Sequence, residues 1–181
     1  GTNVVVGNEF SDAQIIFNDR LYTTGGILDN AGPPPCTLVE YHGDRLWLGG
    51  TDEPEWLWFS QPWREGEMPR FNEGLRVRIG REVVAIKSMD GLLYAFTAEE
   101  IYAVDGEGPP ATGAGDVGYR VSLVSGDTGC KDPRSVVLTP MGIYFWGTRG
   151  LYLLDRGRQL RFVGAEAKGY FDTYGDEVVS A

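Results

Sequence analysis

The sequence predicts an all-β protein of antiparallel four-stranded meanders, arranged as the blades of a complete or partial β-propeller. Two observations predict it: a threefold repeat and the lack of any helical period. Residues 38–60, 83–104 and 136–154 each carry an apolar β-branched run, a tight turn, an aromatic strand, a second turn and another aromatic strand. The first reads TLVEYHGDRLWLGG then WLWFS, the second VVAIKSMDGLLYAF then IYAV, the third SVVLTPMGIYFWG then GLYLL. Corresponding residues recur about every 45–50 positions, the period of a propeller blade or a similar meander array. No window of about 12 residues keeps a 3.6-residue apolar period free of Gly and Pro. The chain's 26 Gly and 10 Pro interrupt every such stretch.

In order, strands are expected at residues 4–6, 14–17, 38–41, 45–48, 56–59, 76–79, 83–86, 92–96, 101–104, 119–124, 136–138, 143–146, 151–154 and 160–163. Each is short, β-branched or aromatic, and bounded by turn residues. Residues 76–79, 119–124 and 160–163 would be the fourth strands of the three units. The turns His42-Gly43-Asp44, Met89-Asp90-Gly91 and Pro140-Met141-Gly142 each place Gly where a tight hairpin needs positive φ. Residues 17–24 resemble the hairpin at 42–48, as the end of a preceding unit would. Long loops are expected at 106–118 and 62–74.

Six aromatics are expected at equivalent repeat positions: Trp47, Tyr94 and Tyr144 on the second strands, and Trp58, Tyr102 and Tyr152 on the third. Core and inter-blade packing accounts for them, since aromatic rings bury large areas between tilted sheets. Trp58, Tyr102 and Tyr152 are expected to be equivalent and buried. A base-stacking platform would want basic neighbours, which are sparse.

The formal net charge of −10 opposes binding of nucleic acid through a basic patch. No apolar run approaches the roughly 20 residues that span a bilayer, and 42 % apolar content marks a folded chain. Cys36 and Cys130 are too few and too far apart for a disulfide framework or a zinc site, and are expected to be free thiols. The chain begins at Gly1 without a Met, and three blades need neighbours on both sides. It is therefore read as one all-β domain, residues 1–181, of a longer protein.

Candidate chemistry is thin. The loop GEGPPATGAGDVG at 106–118 lacks the Gly-Lys-Ser/Thr and the following helix of a phosphate loop. Asp52, Glu53 and Glu55 lie beside Trp56, Trp58 and Trp63, a combination that can bind or cleave sugars. The Ser-x-Asp-x-Gly-x-x-Trp repeat of sialidase-type propellers does not occur. His42 stands alone, which leaves a Ser-His-Asp triad or imidazole-based metal site without partners. Asp127 with Asp132, and Asp172 with Asp176 and Glu177, lack the Asp-x-Asp-x-Asp-Gly pattern of a calcium loop. The residues thus predict no catalytic set, metal or cofactor.

Several runs resemble a known family. They are LYTTGGILDNAGPPP (21–35), RLWLGG (45–50), WFSQP (58–62), IYAVDGEGP (101–109) and, most specifically, DTGCKDPRSVVLTPMGIYFWGTRGLYLLDRG (127–157). Together they are similar to virion proteins of short-tailed bacteriophages, of the packaged-DNA stabilisation and tail hub or nozzle type. The resemblance implies a propeller fold and a non-enzymatic structural role in a phage tail or connector. It further implies other tail proteins as partners, a homo-oligomeric ring, at most loose contact with passing DNA, no membrane, and location in the virion after assembly in the host cytoplasm. An acidic wall would repel phosphate and let a duplex slide. The alternative is a carbohydrate-binding or glycoside-cleaving propeller using Asp52, Glu53, Glu55 and the nearby tryptophans.

Overall fold

The computed structural model describes residues 32–63, 68–109 and 118–164, together with the backbone of three N-terminal strands. Those strands, β1 (Val4–Val6), β2 (Gln14–Phe17) and β3 (Arg20–Tyr22), form an antiparallel sheet in the order β1-β2-β3. The hairpin expected at 17–24 is thus present as β2–β3. Among the described residues, the only helical turn is a 3₁₀ turn at Pro133–Ser135.

Three four-stranded antiparallel meanders follow. The first comprises β4 (Leu38–His42), β5 (Arg45–Gly49), β6 (Trp56–Phe59) and β7 (Arg76–Arg78). The second comprises β8 (Ala85–Met89), β9 (Leu92–Phe96), β10 (Ile101–Asp105) and β11 (Arg120–Ser125). The third comprises β12 (Val137–Thr139), β13 (Gly142–Gly147), β14 (Gly150–Asp155) and β15 (Leu160–Phe162). In each, the strands are laid side by side in chain order, so the three repeats noted in the sequence are three copies of one topology.

Local chemistry sets the hairpins. Gly43 and Asp44 both have positive φ (56° and 57°), as do Asp90 and Gly91 (52° and 78°), the left-handed pair that a two-residue hairpin turn requires. In the third meander the two turn residues are Pro140 and Met141, and Gly142 opens β13 paired with Thr139.

The chain forms two compact units, Gly1–Arg78 with Gly106–Arg120, and Ile79–Asp105 with Val121–Ala181. In the first unit, Trp47, Leu57, Phe59, Phe71 and Leu75 are buried. Tyr119 sets its ring edge-on to Trp47 and Phe59, at 4.6 and 5.0 Å between centroids. The segment joining β10 to β11 therefore contributes an aromatic ring to the core of the first meander.

In the second unit, the second and third meanders share one core. Tyr94, Phe96, Ile101 and Ala103 pack with Ile143, Phe145, Tyr152 and Leu154, and Phe96 meets Phe145 at 5.1 Å. A connector at 129–135 joins the two meanders. Cys130 N donates to Thr97 O (2.8 Å), and Lys131 N donates to Trp146 O (2.9 Å). Ser135 Oγ donates to Asp132 O (2.6 Å) and accepts from Trp146 N (3.0 Å). A Cβ at Gly129 would collide with the Thr97 carbonyl, so only Gly fits. The Gly-Cys-Lys-Asp-Pro-Arg-Ser run acts here as a backbone staple.

Candidate functional site

The acidic residues beside the tryptophans lie on the loop from β5 to β6, and the register of the sheet decides what they meet. Trp56 stands opposite Arg78 and Trp58 opposite Arg76. Directly paired residues share a face, so two guanidinium groups lie over two indoles. Arg76 sits 4.5 Å from the Trp56 ring centroid and 5.7 Å from that of Trp58, and Arg78 sits 6.0 Å from Trp56. Arg76 also pairs with Glu53, and Arg78 pairs with Glu55 at 3.0 Å. Asp52 is exposed beside them.

This arrangement is a ladder of cations, rings and carboxylates. Sugar recognition needs an open aromatic face and acceptors free to take hydroxyl protons. Here arginines cover the rings and engage Glu53 and Glu55, so cation–π and ion-pair contacts use the groups a glycan would need. Sequence reading missed Arg76 and Arg78. The available signal was RVR on a fourth strand, but its register against WLW is not written in the sequence.

The other candidates serve the scaffold. His42 is buried 6.3 Å from the Trp47 ring, and its carbonyl accepts from Trp47 Nε1 (3.1 Å). Asp127 accepts from Ser125 Oγ (3.1 Å) and Thr128 Oγ1 (3.3 Å). Asp132 accepts from Arg134 N (2.8 Å) and from the Arg134 guanidinium, which holds its carboxyl below the usual range. Among the described residues, no group of three His, Cys, Asp or Glu could hold a metal ion. Asp172, Asp176 and Glu177 lie outside them, as does most of the 106–118 loop. Cys36 and Cys130 are free, and burial pushes the Cys130 thiol up.

Arg45 was not anticipated. It is buried at the start of β5, donates to Ser60 O (2.9 Å) and Pro109 O, and holds its guanidinium 5.5 Å from the Phe59 ring centroid. Burial pushes the neighbouring Tyr119 phenol up to about 12, against the opposing pull of Arg45.

No family model matches the chain, and no curated protein matches it. Among the described residues, no helix is long and apolar enough to cross a membrane.

The six repeat aromatics sort by face. Counted from each hairpin turn, Trp47, Tyr94 and Tyr144 are third in their strands. Their neighbours across the next strand are Phe59, Ala103 and Leu153. Trp58, Tyr102 and Tyr152 face Leu48, Ala95 and Phe145, on the opposite surface of each sheet. The registers therefore make them equivalent, but their burial differs: Tyr152 is buried, whereas Trp58 and Tyr102 are half-buried. Conversely Trp47 and Tyr94 are buried and Tyr144 is half-buried. Equivalence is a property of the meander, and burial depends on what covers its face.

Proposed function

We propose that this chain is a non-enzymatic structural module whose three meanders are consecutive blades of a complete or partial β-propeller, and that it acts by assembling with other protein. The observation that carries this reading is the threefold recurrence of one topology and one register. The commitment of Glu53, Glu55, Asp127 and Asp132 to scaffold contacts supports it. On the resemblance of its sequence, we place the module in the virion of a short-tailed phage, in a ring of the tail or connector that helps retain packaged DNA. A net charge of −10 suits a wall past which a duplex slides. Electron microscopy of the native source, labelled with an antibody to this chain, should find it in a ring-shaped tail complex. A location outside any virion removes the phage assignment. The glycan alternative needs Arg76 and Arg78 to vacate the tryptophan faces. A glycan-array signal lost in Glu53→Ala and Glu55→Ala would restore it.

A further inference from the structure

Among the described residues, Arg45 is the one buried Lys or Arg, only 3 % exposed at the start of β5. Burying a charge is costly unless a counter-charge and hydrogen bonds compensate it. Arg76, Arg78, Arg81, Arg134, Arg156 and Arg161 each pair with a carboxylate at the surface. Arg45 does not. Among the described residues its acceptors are two neutral carbonyls, Ser60 O at 2.9 Å and Pro109 O, and its third neighbour is the Phe59 ring. In a chain of net charge −10, the most deeply buried cation is thus the one held by neutral groups.

The groups that bury Arg45 are themselves shallow. Pro109 and Tyr119 are half-buried, and Glu107, Gly118 and Arg120 beside them are exposed. The Tyr119 hydroxyl donates to Glu107 O over 3.4 Å, a long bond. Beneath this cap Trp47 and Phe59 are 0 % and 3 % exposed. A Cβ at Gly108, where φ is 70°, would strike the Tyr119 ring at 2.5 Å. The cap therefore closes only because residue 108 lacks a side chain. It brings two groups to the cleft: an aromatic ring against Trp47 and Phe59, and an oxygen acceptor for Arg45. Those are the two ends of an aryl carboxylate. A carboxylate would also give Arg45 the charged, bidentate partner that a carbonyl is not.

We infer that the cleft formed by Arg45, Trp47 and Phe59 is a binding site for an aryl carboxylate, which Pro109 and Tyr119 occupy in the ligand's absence. The aryl group takes the place of the Tyr119 ring, and the carboxylate takes the place of the Pro109 carbonyl on the Arg45 guanidinium. The cap and the ligand compete, so the ligand's affinity is reduced by the fraction of molecules that are capped. Two sources carry this chemistry, a small aromatic acid and the C-terminus of a chain ending in Phe or Tyr. The site lies wholly in the first unit, and the inference depends on neither the blade nor the phage reading.

Calorimetric titration of the full chain tests it, with phenylacetate, phenylacetamide, and the peptide Gly-Gly-Phe with a free or an amidated C-terminus. The unsubstituted chain should bind an acid weakly, and Tyr119→Ala should bind it at least about tenfold more tightly, because the competing ring is gone. Deleting the ring also leaves a cavity that any small aromatic could fill, so charge decides the outcome. In Tyr119→Ala the amide should bind about tenfold more weakly than the matching acid. Adding Arg45→Gln should abolish that preference. Gly108→Ala keeps every ring and pushes the cap aside, so it should tighten acid binding too, and it serves if Tyr119→Ala does not fold. Binding of phenylacetate alone identifies a small acid as the ligand, and binding of the free peptide alone identifies a chain terminus; either supports the site. Equal binding of acid and amide overturns it, as does the absence of acid binding in both variants.

Discussion

Tyr152 and Trp58 occupy equivalent positions yet carry different energetic weight. Tyr152 stacks on Phe145 at 5.8 Å and meets Phe162 edge-on at 5.2 Å inside the shared core. Tyr152→Ala should cost about 3–5 kcal/mol in urea unfolding, and Trp58→Ala less than half of that, because half-buried rings leave smaller cavities. Equal costs would mean that the faces are wrongly assigned. Titration gives a second residue-scale prediction. Tyr119 ionises at about 12 in the folded protein and near 10 when unfolded. The phenol's contribution is full below about pH 10 and is lost as pH rises toward 12, since only the unfolded chain ionises in that window. Tyr119→Phe should therefore flatten the decline in stability over that range in pH-dependent urea melts. An unchanged slope would mean that the ring is not held as described.

Among elements, the 129–135 connector is the most constrained. A Cβ at Gly129 meets the Thr97 carbonyl, and the next amide, Cys130 N, donates to that same oxygen. Gly129→Ala must displace backbone rather than a flexible side chain, so it should lower the melting temperature by several degrees, at a cost of roughly 2 kcal/mol or more. It should also expose Cys130, which is fully buried in the intact protein. Timed alkylation should therefore label Cys36 and spare Cys130 in the parent chain, and label both in Gly129→Ala. The hairpin turns should be more forgiving. Gly91, with φ of 78° and no atom within 4 Å of a would-be Cβ, meets no neighbour on changing to Ala and pays only the strain of a side chain on a left-handed backbone, about 1–2 kcal/mol.

At the scale of the whole chain, the second and third meanders have one core, so they should melt together. Ile143→Ala, in the third, should weaken amide protection in β9 of the second as much as in β13. Hydrogen exchange reads this directly, and protection lost only in β13 would indicate two separate cores.

The sequence by itself determined the class, the number of meanders and most strand positions, because alternating apolar residues between Gly turns leave the chain few other ways to pair. The strand expected at 83–86 instead runs from Ala85 to Met89. Val84 N still bonds to Phe96 O, but the regular ladder begins at Ala85 opposite Phe96. Equivalence of Trp58, Tyr102 and Tyr152 was legible from spacing to the turns; their unequal burial was not, since it depends on what lies against each sheet. The candidate sugar site shows the same division. Carboxylates and tryptophans close in sequence suggested it, and the pairing of β6 with β7, decided only by tertiary register, laid arginines over the rings. Long-range register assigns every side chain to one face or the other, and short-range sequence periodicity does not specify which face a neighbour will cover.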